Sequence, residues 1–213
     1  MKTVLTPYEA LQQPDGDYLV GLYWRHFPIS EKCRNVKNQG QSGKLCSLRY
    51  TSMRCKKNAV SENEFIYSHF LSVLDAAQDV TASEYSRLHI EKVGGMNIIF
   101  AIAEFENGMA AEFEVNECLP DTMQDICFVK GNYSDGHVTN QPIVGYFNEE
   151  GLICADDDSM QTLIAENGVY PAAAGPFEWM RLRFEIKADR GLIPSGKQNI
   201  EKLADLIRRS LEQ

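Results

Sequence analysis

The amino-acid sequence predicts an α+β fold with an open, mostly antiparallel sheet and helices packed on one sheet face. Three observations carry this. Asn97 to Glu117 reads as two strand-forming segments joined by Glu106-Asn107-Gly108, and Asn-Gly supplies the positive φ angles of a tight hairpin turn. After that turn Met109, Ala111, Phe113 and Val115 fall on one face and Ala110, Glu112, Glu114 and Asn116 on the other, the period of a half-buried strand. The order of elements is mixed, with a helix between strands early, strands in the middle and helices at the end.

Thr6 caps a short helix to Gln12, with Pro7 at its first position. Pro14-Asp15-Gly16 then turns the chain into Asp17 to Trp24, a continuous apolar strand candidate. Pro28 opens a helix marked by Ile29, Cys33 and Val36, which Gly40 to Gly43 end. Leu45 to Ser52 reads as a strand with Cys46, Leu48 and Tyr50 on one face. Glu62 to Val80 is the strongest helix of the first half, capped by Ser61 and striped by Ile66, Phe70, Val73, Ala77 and Val80.

Strands are expected at Arg87 to Val93 and Asp125 to Lys130, and Gly131 to Gly145 reads as a polar loop or irregular edge. Gly151 to Ala155 is one more strand candidate, after which Asp156-Asp157-Asp158 caps a helix from Ser159 rather than holding a metal. Phe177, Met180, Phe184 and Ala188 mark a helix after Pro176, and Ile200, Leu203, Ile207 and Leu211 mark the last one. On its solvent side Asp205 with Arg209 and Arg208 with Glu212 form four-residue pairs.

A chain of 213 residues with 44% hydrophobic residues can bury a substantial core. No linker, repeat or low-complexity tract divides it, so residues 1–213 read as one domain. A net charge of −9 and a pI near 5.0 argue against nucleic acid or an anionic membrane as partner. MKTVLTPYEA lacks a signal-peptide pattern and no run approaches transmembrane length, so the expected location is the cytoplasm. Cysteines 33, 46, 55, 118, 127 and 154 form no Cys-x-x-Cys pair and no metal-ligand spacing, and read as reduced and mostly buried. Asn132-Tyr133-Ser134 matches a glycosylation acceptor in form only.

Gly191 to Lys197, GLIPSGK, fits part of a phosphate-binding loop, but Gln198 stands where Ser or Thr must reach magnesium and a helix precedes it where a strand is required. It reads as a loop between two helices. No G-x-G-x-x-G, G-x-S-x-G or H-E-x-x-H occurs. The four histidines are His26, after a strand; His69, on the apolar helical stripe; His89, within a strand; and His137, in a polar loop with Asp135 and Asn140 that suits ligand binding.

Tyr18 to Tyr50, YLVGLYWRHFPISEKCRNVKNQGQSGKLCSLRY, resembles the passage that follows the nucleotide-binding half of Gfo/Idh/MocA-type oxidoreductases. The resemblance continues through a His-bearing helix, SHFLSVLDAAQ, and the hairpin AEFENGMAAEFEV, and closes with a helix, a G-x-x-P turn at Gly191 to Pro194 and a final helix. It implies the C-terminal α+β domain of that family, which supplies substrate and oligomer contacts, without the Rossmann NAD(P)-binding domain. The family's catalytic Lys belongs to a Glu-Lys-Pro motif, where only Met1-Lys2-Thr3 stands here. His69 matches the family's helix His, but Phe65 occupies the position of the Asp that accompanies it.

The resemblance implies a binding or assembly subunit with no bound cofactor, holding a small sugar-like ligand through Arg25, Tyr67, His69, His137 and Asn140, with Arg25, Tyr67 and His69 in one cavity. Its expected partners are a separate nucleotide-binding subunit and further copies of the chain. The alternatives are a cofactor-independent isomerase or lyase with His69 or His137 as base, or a truncated relative of an NAD(P)-dependent dehydrogenase. A homo-oligomer is expected through the sheet, using Met109, Phe113 and Val115 or the face with Ala101 and Ala103.

Overall fold

The computed structural model describes residues 2–40, 42–123, 125–140, 176–193 and 196–212. The expected strand at Gly151 to Ala155 and the acidic cap at Asp156 to Asp158 lie outside them.

Strand β1 (Thr3–Leu5) leads into helix α1 (Pro7–Gln12), where Thr6 Oγ1 accepts from the Glu9 N–H and the Glu9 carboxylate accepts from the Thr6 N–H. Strand β2 (Tyr18–Val20) pairs in parallel with β1 and is much shorter than the expected Asp17 to Trp24. Two contacts end it. Gly21 donates its N–H to Leu5 O and the Leu22 N–H turns back to Val20 O, after which Tyr23–His26 winds as a 3₁₀ turn that sinks Trp24 into the core. A side chain on Gly21 would meet the Tyr23 ring at 2.8 Å, so the ring would have to move aside.

Helix α2 (Pro28–Gln39) buries Ile29, Cys33 and Val36 and stops at Gly40, which adopts φ +69. Strand β3 (Leu45–Cys55) follows. Cys46 is exposed rather than aligned with Leu48 and Tyr50, because β3 gains one residue against its neighbour between Leu45 and Ser47 and the bulge turns Cys46 outward. Helix α3 begins under a Ser61 cap as α-helix over Glu62–Glu64, widens to π-helix over Phe65–Phe70 and returns to α-helix over Leu71–Thr81.

Strands β4 (Tyr85–Lys92), β5 (Ile98–Phe105), β6 (Ala110–Leu119), β7 (Ile126–Tyr133) and β8 (Gly136–Thr139) complete a six-stranded open sheet in the order β4-β5-β6-β3-β7-β8. Only the β3–β6 pair is parallel within it. Residues 131 to 139, read from sequence as loop or irregular edge, largely form the end of β7 and the edge strand β8. Helices α4 (Pro176–Asp189) and α5 (Lys197–Leu211) close the described chain.

Met109, Phe113, Val115, Ala101 and Ala103 all point into one core, because Ala101 sits opposite Phe113 and Ala103 opposite Ala111. They are therefore buried within the chain, which corrects their expected place on an oligomer interface. The opposite sheet face carries Phe100 and Ile102, 47% and 57% exposed, beside the Arg49–Glu112 ion pair.

Long cations tie the helices together. Lys37 Nζ donates to Val80 O and Thr81 O, both at 2.9 Å, at the end of α3, and Lys197 Nζ donates to Ala10 O and Gln13 O at the end of α1. Lys197 thus acts as a helix-end cap. In α5 the Asp205 carboxylate binds Arg208 at 2.5 Å rather than the expected Arg209, whose Nε reaches the Asp205 carbonyl. Among the described cysteines Cys33, Cys55 and Cys127 are buried and Cys46 is exposed. Among the described residues no helix is long and apolar enough to cross a membrane.

Candidate functional site

His69 lies in the π-helical turns. Phe65, Ile66, His69 and Phe70, at positions i, i+1, i+4 and i+5, share their buried side. Phe65, which stands where the resemblance led us to look for an Asp, packs edge-on against the imidazole at 5.7 Å. The carboxylate near His69 comes instead from Glu117, on the sheet. Between Met53 and Cys55 strand β6 runs one residue longer than β3, so its alternation breaks and Asn116 and Glu117 are buried in succession.

Glu117 is bound from several sides. Its Oε2 accepts from the Val60 N–H at 3.0 Å and from Asn97 Nδ2 at 2.8 Å, while Oε1 lies 3.1 Å from an Arg54 guanidinium nitrogen and 3.6 Å from His69 Nδ1. Burial raises its pKa, but the nearby His69 and the bonds from Val60 and Asn97 outweigh that and hold the carboxyl below its ordinary value. His69 Nε2 meets Ser52 Oγ at 2.6 Å. Burial pushes the imidazole pKa down against the pull of Glu117, so His69 stays neutral at physiological pH.

Ser52, His69 and Glu117 follow the order of a nucleophile, a base and an orienting carboxylate. They do not form a working triad here. Ser52 is 0% exposed and does not border the cavity, and the His69–Glu117 separation exceeds a hydrogen bond.

His69 does border a cavity of about 290 Å³ between α1, α3 and α4. Trp24, Pro7, Val60 and Phe177 give it apolar walls, and Tyr23, Arg54, Glu64, Ser72, Glu178 and Arg181 add polar groups. Phe177 lies edge-on to Trp24 at 6.0 Å and to His69 at 5.5 Å, with the Arg54 guanidinium 5.3 Å over its ring. The size is near the lower end of ligand pockets, roughly 300 to 1,000 Å³, and suits a monosaccharide-sized molecule.

The other sequence candidates lie elsewhere. Arg25 grips the fully buried Asp75 with two 2.5 Å bonds, and Asn199 donates to the same carboxylate, so Arg25 locks the 3₁₀ turn to α3 and α5. It does not share the His69 cavity, contrary to expectation. Tyr67, in the π-helical turns, packs half-buried against the core and does not line that cavity either. Asn140 satisfies sheet backbone, accepting from the Val129 N–H at 2.8 Å and donating to Cys127 O at 3.0 Å. His137 lies on β8 opposite Asn132, with its pKa lowered by burial and by Lys130. Lys2 pairs with Asp17 at 2.5 Å on the surface. His26 and Lys187 converge on Glu31, and exposed His89 pairs with Glu91 at 3.0 Å.

Sequence reading missed Trp24, Arg54, Glu117 and Phe177 as neighbours of His69. The one local signal was Trp24 just before Arg25; the others converge only through the fold. Among the described residues no group of three or more His, Cys, Asp or Glu side chains is placed to hold a metal ion.

No protein-family model matches the sequence, and no curated protein matches it by sequence. The structure is similar to solved dehydrogenases. A myo-inositol dehydrogenase from Corynebacterium glutamicum ATCC 13032 superposes with a TM-score of 0.59 at 11% identity, covering 92% of this chain and 62% of that one. A myo-inositol dehydrogenase from Lactobacillus casei, solved with NAD(H) and myo-inositol, gives 0.56 at 11% identity, with 96% and 62% covered. An inositol dehydrogenase homologue from Azotobacter vinelandii, complexed with NADH and myo-inositol, gives 0.55 at 12%, with 92% and 62% covered. At such identities the likeness is one of fold, and this chain spans about three fifths of the length of each.

Proposed function

We propose that the chain is a small-molecule binding module of oxidoreductase-related fold, holding a sugar-like polyol in the cavity beside His69, and that it does not transfer hydride by itself. The observation that carries this is the cavity: aromatic walls from Trp24 and Phe177 face polar groups from Arg54, His69 and Ser72, the combination that packs a sugar's C–H face while binding its hydroxyls. The similarity to proteins solved with myo-inositol supports the ligand class. These residues contain no glycine-rich dinucleotide turn, so hydride chemistry would require a nucleotide-binding unit outside them.

The lyase or isomerase reading draws on the neutral His69 beside a buried carboxylate. Against it, His69 Nε2 is held by the buried Ser52 and is not free to take a substrate proton. The absence of any Cys-x-x-Cys pair and of a disulfide-like cysteine spacing in the sequence suits a reducing compartment such as the cytoplasm. The exposed Phe100 and Ile102 suit self-association through the outer sheet face.

Calorimetric titration with myo-inositol and with NADH tests the proposal. Saturable binding of the polyol and none of NADH is the expected result. Micromolar NADH binding, or no response to myo-inositol or any monosaccharide, contradicts it.

A further inference from the structure

Beyond the polyol reading, we propose that the chain has a second ligand site, for a carboxylate with an apolar aliphatic or aromatic body, in a cavity that shares no lining residue with the one beside His69. This cavity, of about 400 Å³, lies between α2, the 3₁₀ turn and the ends of α3 and α4. Its wall carries three cations, Arg25, Arg34 and Lys187, and one carboxylate, Asp79. Asp79 pairs with Arg34 and lies 3.8 Å from Arg25 Nη1. Two further carboxylates bind these cations without lining the cavity: Asp75 takes two bonds from Arg25, and Glu31 is shared by Lys187 and Arg183. The ion pairs thus set four cations, Arg25, Arg34, Arg183 and Lys187, against three carboxylates, Asp75, Asp79 and Glu31. That is a surplus of one positive charge on a chain whose net charge is −9.

Donors are in surplus as well. Arg34 spends one nitrogen, Nη1, on Asp79, and Arg25 spends Nε and Nη2 on Asp75. Arg34 Nε and Nη2 and Arg25 Nη1 have no hydrogen-bond partner among the described residues, and none of the three is sealed from solvent. The two side chains are 29% and 23% exposed. A carboxylate supplies the missing acceptor oxygens in the geometry a guanidinium fork binds best. Its single charge matches the surplus, whereas a phosphate monoester would bring roughly two. The rest of the wall is apolar. Val20, Leu22 and Phe184 line it, and Leu192, also on it, is a large apolar side chain left 66% exposed. Such walls offer nothing to the hydroxyls of a sugar; they complement a molecule charged at one end and apolar along the rest.

Two matched pairs test this on the whole chain by calorimetry at low ionic strength: octanoate against octan-1-ol, and benzoate against benzyl alcohol. In at least one pair the acid is expected to bind saturably and about tenfold more tightly than its neutral partner. Arg34→Gln removes one cation and its free donors, and is expected to weaken that acid about tenfold and its neutral partner less than about twofold. Leu192→Asp sets a like charge on the apolar wall at an exposed position that the fold does not need, and is expected to weaken the acid by a similar factor. Neither variant touches the His69 cavity, so titration with myo-inositol is expected to be the same in both as in the parent chain. Alcohols binding as tightly as the acids in both pairs overturn the anion assignment, and failure of all four to bind overturns the site. Acid binding unchanged in both variants puts the carboxylate elsewhere and likewise overturns the proposal.

Discussion

His69 is held between a sheet hydroxyl and a sheet carboxylate and also borders the cavity, so it is both a buried structural residue and a cavity wall. Removing the imidazole leaves Ser52 and Glu117 buried without it. His69→Ala is expected to lower stability by roughly 1 to 3 kcal/mol and to weaken ligand binding as well. Melting temperature and calorimetric affinity, measured on one preparation, check this; an unshifted melting temperature contradicts the buried network. From sequence, burial of His69 was legible in the apolar stripe. Its partner Glu117 was not: alternation puts residue 117 on the face of Phe113 and Val115, but period alone does not say that a carboxylate at the strand end is buried against a helix, nor that the bulge buries Asn116 beside it.

Glu31 gives the clearest dependence on acidity. Burial raises its pKa, but hydrogen bonds from His26 and Lys187 and the charge of Arg183 overcome that and bring it down from 4.5 to about 2. A carboxyl with a depressed folded-state pKa stabilises the fold above its unfolded value, and that contribution disappears as pH falls from about 4.5 toward 2. Its size is about 3 kcal/mol at neutral pH. Glu31→Gln is expected to flatten the decline of melting temperature over that window; an identical acid profile in the variant contradicts the assignment.

At the scale of elements, caps and apolar spacing marked α1, α2 and α5 closely, since Thr6, Pro28 and Gly40 act through their immediate neighbours. Deviations arose where contacts distant in sequence overrode local preference. The expected strand Asp17 to Trp24 breaks at Gly21 because β1 ends its pairing there and the core takes Trp24. The π-helical turns of α3 preserve the apolar stripe while adding Phe65 to it, which no helical period distinguishes. The end of α3 is strained in a correctable way: Ala82 adopts φ 51, a left-handed conformation that disfavours a side chain. Ala82→Gly is expected to stabilise the protein by up to about 1 kcal/mol, with greater entropy of the unfolded chain reducing the gain. Chemical denaturation measures it, and a loss of more than a few tenths of a kcal/mol contradicts the cap geometry.

For the whole molecule, the sheet and its helical layer were legible because the Asn-Gly turn and alternating faces fix a half-buried antiparallel hairpin. Which face is covered was not legible, since alternation does not say which side meets the helices. The structure directs Ala101 and Phe113 inward and Phe100 and Ile102 outward. Light scattering is expected to give about twice the 24.1 kDa chain mass, and Ile102→Glu to return it to the monomer value. A wild-type monomer across dilution contradicts self-association through this face.

The site assembles from α1, the 3₁₀ turn, β3, α3 and α4, so its cavity was invisible to spacing within any one segment. Its central claim is that a small polyhydroxylated molecule occupies the space beside Trp24 and His69. The chain has two tryptophans, so a proton–nitrogen spectrum shows two indole N–H signals and Trp24→Phe assigns them. Titration with the tightest-binding sugar or polyol is predicted to shift the Trp24 indole signal saturably, at the dissociation constant found by calorimetry, and saturable binding that leaves that signal unmoved contradicts the assignment of the site.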